Sequence, residues 1–101
     1  MDYSLEELDL SCKKLTILPD LSKYTKLKAL NCNNNKLISL DNLPQGLQKL
    51  DCCYNQITSL DNLQPGLQEL YCSDNQITSL DNLPPGLKVL NGKNKFNKKT
   101  F

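Results

Sequence analysis

The sequence contains no histidine, no arginine and no tryptophan, and these absences narrow the chemistry open to the chain. Without histidine there is no Cys–His or Ser–His–Asp nucleophile, no imidazole general base and no histidine-containing zinc site. The formal charge of +1 comes from 12 lysines and 11 acidic residues, a balance that favours neither nucleic acid nor a membrane surface as a partner. We therefore expect no enzymatic activity, no cofactor, no nucleic-acid partner and no membrane partner.

Long apolar runs are also missing. No stretch approaches the roughly 18 uninterrupted apolar residues that a membrane-spanning helix needs, and the opening MDYSLEELDL is acidic where a secretory signal is basic and then apolar. Five cysteines are an odd number in such a chain, so we expect reduced thiols rather than a disulfide framework. The 101 residues suffice for one small domain, which we expect in the cytoplasm.

Repetition is the strongest feature of the sequence. Three adjacent blocks of twenty residues are closely similar: LKALNCNNNKLISLDNLPQG at 27–46, LQKLDCCYNQITSLDNLQPG at 47–66 and LQELYCSDNQITSLDNLPPG at 67–86. Residues 5–26 fit the same frame with two extra residues, 1–4 form an N-terminal cap, and 87–101 form a degenerate last repeat with a lysine-rich tail. A fixed period of this kind indicates a solenoid, in which each coil buries its apolar face against its neighbours.

Apolar residues two positions apart locate a strand in every block. Leu30 and Cys32 show this spacing in the first of the three blocks, and a period of two is that of a β-strand. A repeat this short leaves room after the strand only for a bend and an irregular or 3₁₀ return. We expect about five coils, stacked side by side around a parallel sheet, with little α-helix.

The shared frame L-x-x-L-x-C-x-x-N-x-[LI] resembles the leucine-rich repeat signature LxxLxLxxNxL, with cysteine in the third apolar position. The resemblance implies an α/β-type, right-handed leucine-rich repeat solenoid whose parallel sheet lines the concave face, the usual protein-binding surface of that family. The Cys- and Asn-rich form containing LDNLP is similar to repeats of giant-virus and some bacterial proteins. A viral protein of this kind would act in the cytoplasm of the host cell.

Two inward columns of residues are expected to be structural. The first is the cysteine column, which we interpret as small core residues because a straight column does not converge four thiolates on zinc. The second is an asparagine column at the bend, where amide side chains can bond both the bend backbone and the neighbouring coil. The two columns are Cys32, Cys52 and Cys72, and Asn35, Asn55 and Asn75. Gly46, Gly66 and Gly86 are expected at positive φ where each return closes. We expect no metal site in the chain.

The outward residues of successive strands form the candidate binding face. Tyr54 and Tyr71 lie on adjacent coils where packing does not demand large side chains, and tyrosine is enriched in binding hot spots. The surrounding residues are mostly acidic, which favours a basic or amide-rich polypeptide. An ordinary solvated surface is the alternative. The candidate partner-binding residues are Asp9, Asn31, Lys49, Asp51, Tyr54, Glu69, Tyr71 and Asp74.

The two ends of the chain carry opposite charge. Residues 1–10 contain four acids and no base, whereas residues 87–101 contain five lysines and no acid. The terminal strands of a short solenoid are also templates for pairing. A self-assembling protein, forming a weak homo-oligomer end to end, is therefore the alternative to a protein-binding module.

Overall fold

The computed structural model describes residues 2–92. These contain five short strands, namely β1 (Glu7–Asp9), β2 (Ala29–Asn31), β3 (Lys49–Asp51), β4 (Glu69–Tyr71) and β5 (Val89–Asn91). The strands form one sheet in chain order, and every neighbouring pair is parallel. The described residues form no helix, and the returns are extended segments and turns rather than 3₁₀ helices. The predicted solenoid with a parallel sheet is confirmed, with returns of the irregular kind.

No helix that could cross a lipid bilayer occurs between residues 2 and 92. Met1 and residues 93–101, to which the lysine-rich tail was assigned, lie outside the described residues.

The first coil is longer than those that follow. Glu7 pairs with Ala29, and Ala29 pairs with Lys49, so the first step along the chain is two residues longer than the second. Cys12 consequently lies level with Asn34 rather than with Cys32. Both Cys12 and Asn34 have left-handed backbones, with φ of 56° and 59°.

The core is a stack of inward side chains, repeated coil by coil. Leu30, Leu50 and Leu70, at the centres of three adjacent strands, are fully buried. Each such leucine contributes about 1.5–3 kcal/mol through removal of its side chain from water. Leu8 and Leu90, on the outermost described strands, are only partly buried because each has a neighbouring strand on one side only. Burial of a coil therefore depends on the coils beside it.

In the returns of three coils, the left-handed residue is an asparagine. Asn42, Asn62 and Asn82 have φ of 69°, 70° and 65°, whereas no described glycine has positive φ. The expectation of positive φ at Gly46, Gly66 and Gly86 was therefore wrong. Asparagine is among the few residues that adopt this conformation readily, because its short polar side chain can bond locally.

Side-chain amides also connect successive turns. Asn62 Nδ2 donates to Asp41 Oδ1 at 3.4 Å, and Asn82 Nδ2 donates to Asp61 Oδ1 at 3.0 Å. An amide from the following coil thus contacts each of these two carboxylates, which reduces the repulsion expected along a column of like charges.

At the N-terminal side, the ring of Tyr3 packs edge-on against that of Tyr24, with 5.0 Å between centroids. The Lys23 ammonium lies 5.7 Å from the centroid of the Tyr3 ring. Tyr24 itself is buried, so the short N-terminal segment is joined to the first coil through an aromatic contact.

Candidate functional site

The side-chain amides of the asparagine column are hydrogen-bonded to backbone groups of the bend and the neighbouring coil. Asn55 Oδ1 accepts from the Leu37 N–H at 3.0 Å, and Asn55 Nδ2 donates to the carbonyls of Cys32 and Cys52 at 3.0 and 3.2 Å. Asn35 and Asn75 bridge bend and neighbouring coil in the same way. Because both ends of each amide are engaged, this column is unsuited to binding a ligand.

The cysteine column is fully buried and its thiols are protonated. Burial raises the pKa of Cys32 and of Cys72 to about 12, and it raises the pKa of Cys52 well above its ordinary value. Thiols of this kind neither ligate metal nor react as nucleophiles near neutral pH. Across residues 2–92, no group of three or more Cys, Asp or Glu side chains is placed to hold a metal ion.

Outward side chains of the five strands form a single surface, which we call the sheet face. Alternation with the buried leucines directs two residues per strand outward, and the parallel register aligns them in two rows across the sheet. One row consists of Glu7, Ala29, Lys49, Glu69 and Val89, and the other of Asp9, Asn31, Asp51, Tyr71 and Asn91. Six of the eight predicted binding residues lie in these rows.

Tyr71 is held in place by two neighbours on the sheet face. Its hydroxyl donates to Glu69 Oε1 at 2.9 Å, and the Lys49 ammonium lies 5.6 Å from its ring centroid. The hydrogen bond to Glu69 is the main cause that raises the pKa of Tyr71, so the phenol remains a neutral donor. A ring held by both a hydrogen bond and a cation has little conformational freedom to lose on binding.

Asp51 is a half-buried carboxylate between Asn31 and Tyr71 in its row. Burial raises its pKa above the ordinary value, the nearby Glu69 carboxylate raises it further, and Lys49 opposes both effects. The environment of Asp51 therefore disfavours its ionised carboxylate, and a positively charged group from a partner would stabilise that form.

The remaining two predicted residues lie just past the strands. Tyr54 and Asp74 have left-handed backbones, with φ of 57° and 59°, and the Tyr54 side chain is 57% exposed. The Tyr54 N–H donates to the Ser73 carbonyl at 3.0 Å, which extends the strand pairing by one more bond. The rings of Tyr54 and Tyr71 do not pack on each other, so the structure separates the predicted set into a sheet face and a strand exit.

A hollow of about 380 Å³ lies on the sheet face across β1, β2 and β3. Four predicted residues line it, and Leu8 and Leu30 contribute to its floor. Glu7 and Ala29 also line it but were absent from the predicted set. Ala29 is the only alanine in the chain, which is the one sequence signal that could have located the hollow. The four predicted residues are Asp9, Asn31, Lys49 and Asp51.

Comparison with known proteins identifies the repeats. A family model described as Leucine Rich repeats (2 copies) matches residues 45–85. A solved structure, the leucine-rich repeat domain of a Shigella effector, superposes with a TM-score of 0.61 at 29% sequence identity. The match covers 89% of this chain and 50% of that one, so the chain spans half the length of the effector domain. No curated protein sequence is significantly similar to the chain.

Proposed function

We propose that this leucine-rich repeat protein is a non-enzymatic interaction module that binds a polypeptide partner on its sheet face, the concave side of such a solenoid. Domains built from these repeats generally bind proteins, and the similar Shigella domain is part of an effector. The observation that carries the proposal is the arrangement around Tyr71, where Glu69 and Lys49 hold an aromatic side chain in place on an outward surface.

Ordering of Tyr71 before binding favours an interaction role. Tyrosine contributes a large contact area with one polar end. Binding affinity is reduced by the conformational entropy that side chains lose when they become ordered in the complex. A ring already restrained by neighbours loses less freedom when a partner arrives. No packing requirement explains the ring, because Tyr71 points away from the leucine core.

The backbone conformation of Tyr54 supports the same proposal. Asn34 and Asp74, which occupy the equivalent position on adjacent coils, are residue types that tolerate positive φ, although Cys12 on the first coil adopts it as well. A tyrosine in that conformation costs roughly 1–2 kcal/mol, and its exposed ring gains little from packing. Strained, exposed aromatic residues are consistent with a functional rather than a structural requirement.

Selection from a displayed library of random dodecamer peptides tests the proposal. The wild-type protein should recover a consistent family of peptides, and the folded Tyr54→Ala/Tyr71→Ala double variant should lose them. Thr58→Ala/Thr78→Ala is the matched control, since both threonines are exposed on the returns. Recovery of no peptide, or equal binding by the tyrosine variant, would contradict binding at the sheet face.

End-to-end assembly is the second candidate function. In the described part of the chain, β1 and β5 each have a neighbouring strand on one side only, and residues 1–10 are acidic while 87–101 are rich in lysine. Sedimentation at increasing protein concentration tests it: assembly predicts a mass that rises with concentration and falls with added salt. A constant monomer mass would exclude this candidate.

A further inference from the structure

We propose that the partner inserts a basic side chain, best an arginine, into the hollow above Ala29. This inference rests on the proposed function and specifies the chemistry of the polypeptide that the sheet face accepts. Three observations support it: a gap in a row of long side chains, the charge of the residues around the gap, and the direction of the lysine that lines it.

The gap results from the small side chain of Ala29. The parallel register places Ala29 directly between Glu7 on β1 and Lys49 on β3. A single methyl group between two long side chains leaves room above the sheet, and the hollow of about 380 Å³ occupies this position. An extended segment crossing the strands could place one long side chain there.

Carboxylates lie on two sides of the hollow. Glu7 and Asp9 line it from β1, and Asp51 lines it from β3. The Ser11 hydroxyl and the Ser11 N–H donate to Asp9 Oδ1 at 2.6 and 2.9 Å, which holds that carboxylate at the rim. These two hydrogen bonds, with a smaller contribution from Lys13, lower the pKa of Asp9. A positively charged side chain is the complementary occupant of such a surface.

Lys49 also lines the hollow and partly offsets the charge of Asp51, but its ammonium is directed towards β4. Its ammonium lies 5.6 Å from the ring centroid of Tyr71, which is on β4, whereas Ala29 is on β2. The lysine therefore leaves the side nearer β1 dominated by carboxylates. Arginine fits this arrangement better than lysine, because its planar guanidinium can donate to carboxylates on more than one side.

The unique alanine provides a direct probe of the hollow. Protein labelled with methyl-¹³C alanine has one labelled methyl group, that of Ala29. The ligand is the blocked tripeptide acetyl-Thr-Arg-Thr-amide, and its matched control carries citrulline, which is nearly the same shape without the charge. We expect a saturable shift of the Ala29 methyl signal with the arginine peptide and a much smaller one with citrulline.

Two double variants distinguish the loss of charge at the hollow from the same loss of charge elsewhere on the fold. Glu7→Gln/Asp51→Asn should weaken binding of the arginine peptide about tenfold, because two charge-assisted contacts are lost. Asp61→Asn/Asp81→Asn makes the same change in charge on the exposed returns and should leave the affinity unchanged. An Ala29 signal that does not move, or that moves equally with citrulline, would overturn the inference.

Failure of this inference and failure of the proposed function give different results. Displayed peptides that bind the sheet face without a basic residue would overturn the arginine site and leave the interaction module standing. Recovery of no peptide that depends on Tyr54 and Tyr71 would overturn the proposed function itself.

Discussion

Tyr71 donates its hydroxyl hydrogen to Glu69, two residues earlier on the same strand, at 2.9 Å. Both side chains point outward from β4, on either side of the buried Leu70. Their bond does not contribute to the core, and it fixes the polar end of an aromatic ring on the surface where we place partner binding.

Removal of that bond should affect binding more than stability. We expect Tyr71→Phe to weaken binding of a display-selected peptide about threefold to tenfold, since the freed ring must be ordered again on binding, which costs about 0.5–1.5 kcal/mol. Unfolding stability should fall by about 0.5 kcal/mol, the low end for one hydrogen bond, because both side chains are only half-buried. Fluorescence titration and urea denaturation measure the two quantities. Equal losses in both would indicate a structural role.

Substitution of Tyr54 should have opposite effects on stability and binding. Tyr54→Asn places at φ 57° the residue type that Asn34 already provides at φ 59°, so we expect stabilisation of about 1 kcal/mol. Peptide affinity should fall, because the exposed ring is lost. Tyr54→Phe is the control and should retain both the strain and most of the binding. A variant that is less stable than wild type would contradict the assigned strain.

The asparagine column should be essential for folding. Asn55→Ala leaves the Leu37 N–H and the Cys32 and Cys52 carbonyls without the side chain that bonds them. We expect a loss of about 3 kcal/mol in the free energy of unfolding, since buried polar groups left unpaired are costly. Gln56→Ala, at the exposed neighbouring position, should be nearly neutral. Comparable urea midpoints for the two variants would contradict this role.

Two aspartates should affect the pH dependence of stability in opposite directions. Burial raises the pKa of Asp51, so its ionisation opposes folding and its unfavourable contribution grows as pH rises above the ordinary aspartate range. Hydrogen bonds from Asn82 and Ser59 lower the pKa of Asp61, so its favourable contribution is present at neutral pH and is lost on acidification.

Thermal unfolding at pH 7 and pH 3 tests this pair. Relative to wild type, Asp51→Asn should be stabilising at pH 7 and Asp61→Asn destabilising, and both differences should shrink at pH 3. The same sign for both variants at pH 7 would contradict the assigned environments.

The repeating frame could be predicted from sequence because the core imposes a pattern on it. Leu30 and Cys32 alternate with outward residues in the same order as Leu50 and Cys52, and burial allows few replacements at these positions. The turn residues with positive φ were harder to predict from sequence, because asparagine and glycine both tolerate this conformation. Asn42 adopts it and Gly46 does not, and composition alone cannot distinguish the two.

The repeat pattern alone does not predict the hollow or the restrained tyrosine, although the single alanine of the sequence marks the position of the hollow. Ala29 occupies an outward position, where a change of side-chain size leaves the apolar period intact. The Tyr71 to Glu69 bond depends on side-chain rotamers, which the spacing of residues does not specify. Outward positions vary freely in a solenoid, so they carry the chemistry of a site with little sequence signal.

Mapping of amide chemical shifts on binding of a display-selected peptide tests the central claim most directly. If the sheet face is the binding surface, the largest shifts will lie on β1 to β4 and at Tyr54, and the Tyr54→Ala/Tyr71→Ala variant will show none. Shifts concentrated on the returns, around Thr58 and Thr78, would contradict it.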